Sequence, residues 1–494
     1  MRNQGRLKGL GALVAAVNRK GENVVPTVVT MIQELQHRGS DSYGIATPNT
    51  TYTAPSIQEL PFKDLNSAVA LGHNLSAILP RDQPQPIQGD DFTIVFEGRT
   101  YPSPNLPDLP EVKEIAEKLG GNPLRKAEEI LEKQDGSYVF AVAEGNKVIV
   151  GRDLFGATPL YYSQNETLCA VASERKALWK LGIEDTKSFP PGQLATIDSR
   201  GFSFLPIKKL HVPPKEKINL DTAAHALETL LLESTRKRVS DLDSVAVAFS
   251  GGLDSSVLAV LAQHVGLEVQ LVSVGLENQP EVMFTQQAAE TLELPIHIQT
   301  YTTTELEKTL QEVLWLTEEQ HTVNACIAVP FFWLAETTSK LGYPVLLAGQ
   351  GADELFGGYQ RYLTEYAKLG AKAVEQTMFY DVENAYAANF QRDNQVCAYH
   401  GIELRLPFID PHVIDFAMRL PLRHKINSTE DKLRKRILRR TAQNLEIPTF
   451  LADKPKKAVQ YTTGVTKALQ RLAKKRELTL RQYIERAFNN VYTK

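Results

Sequence analysis

Ser250, Gly251, Gly252, Leu253, Asp254, Ser255 and Ser256 form the run SGGLDSS, set between VAVAFS, an apolar stretch of strand type, and DSSVLAVLAQHVG, whose apolar spacing is helical. Two glycines permit a tight turn in which backbone N–H groups meet phosphate oxygens, and the following helix presents its positive end. Ser250, Ser255 and Ser256 add hydroxyl donors. Asp254 would repel a bare phosphate, so it is expected to hold a Mg2+ ion attached to one. The plainer alternative is a glycine-serine turn with an aspartate cap. The run lacks the lysine that closes a GxxxxGKS/T loop, which excludes a kinase-like phosphate loop and favours pyrophosphate recognition as ATP gives up AMP.

A second constellation, AGQGADELFGGYQRY, spans Ala348 to Tyr362 after the strand-like YPVLLAG. Gly349 and Gly351 allow close backbone approach to a nucleotide, and Asp353 is expected to complete the metal site with Asp254. Glu354 suits a structural ion pair or helix-end cap as well as a ligand contact, while Phe356 and Tyr359 suit packing at a pocket rim. Downstream, EDKLRKRILRR places Lys432, Arg436 and Arg439 at helical spacing, and DKPKKAVQYTTG supplies Lys454, Lys456 and Lys457. A lysine folded into the pocket would stabilise charge as the α-phosphate is attacked. A basic groove for RNA is the weaker reading, because no aromatic-basic recognition module accompanies these residues.

Such residues need a scaffold, and the chain is long enough for two domains: 494 residues, 43% hydrophobic and 23% charged, with a net charge of -3. That charge gives no field for nucleic acid or an anionic membrane. The longest strongly apolar stretch, Ala325 to Ala335, contains Pro330 and is shorter than the roughly 20 residues of a bilayer span. GLGALVAAV near the start reads as a first buried strand rather than a signal peptide. Cys169, Cys326 and Cys397 lie too far apart for a metal knuckle or redox pair, and a cytoplasmic setting is expected. Residues 1–205 show short apolar runs broken by turns, with helical patterns at TVVTMIQELQ and LPEVKEIAEKL between them. From residue 206 the pattern alternates strand and helix, as a mostly parallel sheet covered by helices requires.

Taken together, SGGLDSS, GQGADELFGGY, GIELRLPFIDPHVIDFAMRLP and KRILRRTA resemble the synthetase domain of the asparagine synthetase B family. LQHRGSDSYGI, VFEGRTY, DGSYVFAV, GRDLFGATPLYY and ASERKALWKLG resemble that family's N-terminal glutamine-hydrolysing domain. The resemblance implies an α/β protein: an N-terminal-nucleophile-hydrolase-like sandwich over residues 1–205, then an ATP pyrophosphatase-like parallel-sheet domain over 206–494. It implies that a carboxylate is activated by ATP as an acyl-adenylate with release of pyrophosphate, and that ammonia or another amine then forms the amide. Ser250, Gly251, Gly252, Asp254 and Ser255 would bind pyrophosphate, Asp254 and Asp353 would engage Mg2+, and Ser273 and Val274 would meet adenosine. Lys456 is the first choice for the late active-site lysine, closely followed by Lys457.

Two departures qualify the resemblance. No cysteine precedes Cys169; residue 2 is Arg2, and Lys8 aligns where the glutaminase nucleophile is expected. Glu97 and Arg99 replace the family's Asn and Glu, and GHNLSA lacks the arginine-leucine pattern near Asn74. Glutamine hydrolysis is therefore expected to be lost, with His37, Arg38 and Asp41 kept for fold or for an interface with a second copy or a protein partner. Gln350 stands where many asparagine synthetases have a glutamate; an amide can orient a substrate but cannot accept its proton. The expected activity is ATP-dependent amide formation with ammonia or another amine, aspartate-to-asparagine conversion with free ammonia being the specific form considered. An amine ligase for another carboxylate and a non-catalytic nucleotide-binding scaffold are the alternatives.

Overall fold

The computed structural model describes residues 11–101 and 111–492. The position of Lys8 and most of the proline-rich YPSPNLPDLP loop lie outside the described residues. The chain divides into two compact units, one of Met1–Leu210 with Cys397–Glu403, the other of His211–Val396 with Leu404–Lys494.

Two antiparallel sheets form the first unit. One has seven strands with Ala12–Asn18 near its middle, flanked by Leu168–Ala172 and Val69–Leu75; the other has six, with Thr93–Thr100, Gly136–Glu144 and Lys147–Arg152 at its centre. Strand periodicity explains the continuous apolar run ALVAAV. Leu13, Ala15 and Val17 face Val139, Ala141, Val148 and Val150 of the other sheet, while Ala12, Val14 and Ala16 pack on the helix Val25–Glu34 through Val25, Val28 and Ile32. Helices Glu111–Leu119 and Pro123–Lys133 cover the far face of the second sheet with Val112, Ile115, Ala127 and Ile130. The result is the four-layer helix-sheet-sheet-helix sandwich expected of an N-terminal-nucleophile-hydrolase-like domain.

The second unit is built on a five-stranded sheet in the order Ile296–Tyr301, Glu268–Leu276, Ser244–Ala248, Val345–Leu347 and Glu403–Arg405. The first four are parallel, and the central three are apolar and buried over Val245–Val247, Leu271–Val272 and Val345–Leu347. Helix Leu253–His264 follows the central strand and buries Val257, Leu258 and Leu261. This is the ATP pyrophosphatase-like parallel-sheet architecture. One expected element is corrected. Lys432, Arg436 and Arg439 do not share a helix, because the helix begins only at Arg436, after two residues of left-handed backbone, Arg434 (φ 54°) and Lys435 (φ 49°).

Candidate active site

The carboxyl ends of parallel strands are where open α/β sheets leave a crevice, and here two loops meet in it. The loop after Ser244–Ala248 runs into helix Leu253–His264 through Gly251, whose φ of 62° suits glycine, and Gly252, which sits at the N-cap with no side-chain capping bond. The first N–H groups of that helix are therefore left to a ligand. Ser255 Oγ donates to the Gly252 carbonyl at 3.1 Å and accepts from the Ser250 N–H at 3.3 Å, bracing the turn. The loop after Val345–Leu347 passes directly over Asp254. A Cβ on Gly349 would lie 3.0 Å from that of Asp254.

Together the loops border a cavity of about 670 Å³ whose lining includes Ser250, Asp254, Ser255, Ser273, Val274, Gly349, Gln350, Asp353 and Lys456. Ser256 is a correction to the expected phosphate set: its hydroxyl is buried without a hydrogen-bond partner and does not line the cavity. Lys457 lies at the edge of the site, lining a smaller pocket with Ser250, Asp254 and Lys456. Its ammonium pairs with Glu281 at 2.9 Å with the side chain 59% exposed, whereas neighbouring Lys456 turns inward, 2.9 Å from Asp353 Oδ2 and 3.3 Å from Asp254 Oδ2.

Lys435 was not singled out by the sequence, yet it is the most enclosed cation of the site. Its Nζ lies 2.7 Å from both Asp254 oxygens and 2.5 Å from Asp353 Oδ1. Burial alone would raise the Asp353 carboxyl; Lys435 and Lys456 reverse this and hold it well below the usual range. Burial likewise pulls the Lys456 ammonium down, and the two aspartates more than offset it. Gly358 makes this packing possible, because a Cβ there would meet Asp353 Oδ1 at 1.8 Å. Arg439 is buried behind the site. It donates to the carbonyls of Leu433, Arg434, Ala452 and Lys454, clamping the two segments that carry Lys435 and Lys456. Lys454 stacks 3.4 Å above the Phe284 ring, and burial lowers its ammonium to about 8.

The far wall of the cavity comes from a single π-helical turn, Tyr386–Phe390, between helices Ala371–Ala385 and Gln391–Tyr399. It brings Ala388, Asn389 and Arg392 to the lining. Glu354, whose role the sequence left open, accepts from Tyr359 Oη and from Asn389 Nδ2 at 2.8 Å, and burial raises its carboxyl. Phe356 is fully buried against Phe408, not at a rim. Arg392 Nη2 is buried without a hydrogen-bond partner, a donor left for a bound anion. Arg392 carried no local motif; Lys435 opens the phrase KRILRRTA, directly before a helix rich in arginine, but nothing in that phrase set it apart from its basic neighbours.

In the first unit, Arg38 is buried and donates to Glu97 at 2.5 Å and Glu174 at 3.1 Å, Ser173 also donates to Glu97, and Glu174 pairs with His37 at 2.8 Å. Arg99 pairs with Asp82 at 2.5 Å. Cys169 is buried, and its thiol is pushed up to about 11.

Residues 226–369 and 364–490 match the asparagine synthase family, and residues 10–189 match the glutamine amidotransferase domain. A candidate glutamine-hydrolysing asparagine synthetase of Methanocaldococcus jannaschii is 30% identical, the similarity covering 90% of this chain and 92% of that protein. The glutamine-hydrolysing asparagine synthetase of Brassica oleracea is 25% identical over 85% of this chain and 72% of its own. Among solved structures, the glutamine phosphoribosylpyrophosphate amidotransferase of B. subtilis complexed with ADP and GMP aligns over 58% of this chain and 65% of its own, at 16% identity and a TM-score of 0.36.

Proposed function

The chain belongs to the asparagine synthase family and is an ATP-dependent carbon–nitrogen ligase of that kind; from this premise we propose that it converts aspartate to asparagine with ammonia taken from solution. The observation that carries the reading is the convergence of Lys435 and Lys456 with Asp254 and Asp353 beside an uncapped helix N-terminus, on a cavity that also holds Gln350 and Arg392.

The roles follow from charge. The N–H groups at the start of helix Leu253–His264, with Ser250 and Ser255, receive the pyrophosphate, and Ser273 and Val274 face the adenosine. Arg392 Nη2 holds a substrate carboxylate while the other carboxylate attacks the α-phosphorus. Negative charge then grows on the α-phosphate and the departing pyrophosphate, and the ammonium groups of Lys435 and Lys456 supply the opposing charge. The amine forms a bond to the acyl carbon as the bond to AMP breaks, and the nitrogen's proton passes to water. Asp254 and Asp353 are hard oxygen donors and fit Mg2+, which would neutralise phosphate charge. Among the described residues no cluster of three or more acidic, histidine or cysteine side chains stands ready for a metal, so water and phosphate would complete the coordination.

Ammonia rather than glutamine is supported by the first unit. Glu97 and Arg99, at the positions where the resemblance implies glutamine contacts, are engaged by Arg38, Ser173 and Asp82. Three buried free thiols suit a cytoplasmic setting, and among the described residues no helix is long and apolar enough to cross a membrane.

The test is turnover with pyrophosphate, AMP and amide product measured together, glutamine and ammonium chloride being supplied separately. Aspartate with ammonium is expected to yield all three in equal amounts, and glutamine none. Mg-ATP binding without AMP formation across a panel of carboxylates and amines would overturn the reading in favour of a scaffold.

A further inference from the structure

Gln350 is not free to point its amide either way. Its Nε2 donates to Oδ2 of Asp393, a residue fully buried on helix Gln391–Tyr399. The other oxygen of Asp393 accepts from Arg392 Nε at 2.7 Å. Arg392 is in turn held by Asn324 Oδ1 at 3.3 Å and by the Ala388 carbonyl at 3.0 Å. A carboxylate paired with a guanidinium has only acceptors to offer, so it takes the donor end of the amide and leaves the acceptor end, Oε1, for the cavity that Gln350 lines.

Resting on the ligase reading above, we propose that Asp393 is the positioning residue for the amine half-reaction: it locks Gln350 so that Oε1 accepts an N–H of the incoming ammonia and directs the nitrogen lone pair at the acyl carbon. The negative charge that a glutamate at position 350 would carry is thereby set one residue deeper, where it orients the amine site without facing the substrate carboxylate. Burial raises the Asp393 carboxyl, and Arg392 opposes that rise. The sequence carried no sign of this pair. Its members stand 43 residues apart on different elements, and Asp393 belongs to no motif.

A role confined to the second half-reaction separates from a merely structural one. Aspartate-dependent exchange of pyrophosphate into ATP, measured without amine, reports activation alone; amide formation against ammonium chloride concentration reports the amine site. Asp393→Asn keeps a carbonyl oxygen to accept from Arg392 Nε, so it is expected to raise KM for ammonia about tenfold, the worth of one well-placed hydrogen bond, and to lower aspartate-dependent exchange by a distinctly smaller factor. The double variant Gln350→Glu with Asp393→Asn restores a single donor-to-carboxylate pair, and its KM is expected to return most of the way. In a Gln350→Ala background, Asp393→Asn should change KM no further, because the two act as one unit. Equal loss of exchange and amide formation in Asp393→Asn, with no recovery in the double variant, would overturn the inference while leaving the ligase reading intact. Should Asp393→Asn fail to fold, the double variant alone decides: a KM for ammonia as poor as that of Gln350→Ala would overturn it. Absence of aspartate-dependent exchange in the unaltered protein would instead overturn the aspartate reading, and this inference with it.

Discussion

At the scale of single residues, the site is a compact exchange of charge in which two aspartates share two lysines. Removing one carboxylate leaves buried ammonium groups underneutralised and takes away a ligand expected for the metal, so Asp254→Asn should lower pyrophosphate formation at least about a hundredfold. Normal turnover of that variant under limiting magnesium would count against the metal role. The neighbouring lysines offer a sharper contrast. Lys456→Ala is expected to cost about two to three orders of magnitude in kcat, whereas Lys457→Ala, which loses only a surface pair with Glu281, should stay within about twofold. Steady-state pyrophosphate release measures both. Sequence spacing could not separate these two lysines, because adjacent side chains differ only in the direction the backbone turns them. Asp254 and Asp353 were legible because each lies inside a glycine-rich phrase whose conformation is local.

At the scale of elements, the decisive parts are loops held in place from behind. Arg439 joins the segment before helix Arg436–Asn444 to the segment after helix Thr449–Ala452 by donating to four carbonyls. Arg439→Ala should therefore lower stability by about 2 kcal/mol or more, read as the urea midpoint, and depress pyrophosphate formation. Arg439→Lys should recover little of either, since an ammonium cannot reproduce the planar fork. Gly358→Ala is a smaller change with a directed result. Its methyl would occupy the place of Asp353 Oδ1, so activity should fall steeply while far-ultraviolet circular dichroism stays native. The parallel strands and their order of alternation with helices were evident from apolar periodicity. The left-handed Arg434–Lys435 pair and the π-helical turn were not, because neither residue type nor spacing announces a backbone conformation that only surrounding packing sustains.

At the scale of the whole molecule, the first unit answers to pH through a buried histidine. His73 is buried on strand Val69–Leu75, and burial, against the pull of Asp82, lowers its imidazole to about 4. Between pH 6.5 and 4 the unfolded chain binds a proton that the folded one refuses, so stability falls as pH falls through this window, by about 3 kcal/mol from this group. Urea midpoints across that range should show the loss, and His73→Gln should flatten it. The sequence by itself determined the two kinds of sheet, the pyrophosphate-type loop and the two acidic positions, since each follows from local periodicity, glycine placement and a short motif. Only the tertiary structure decided which cations reach those carboxylates, that Lys457 pairs with Glu281 instead, and that the amide of Gln350 donates to Asp393. Those contacts join residues about 40 to 200 positions apart, and the chain specifies them only through the packing that folding brings about.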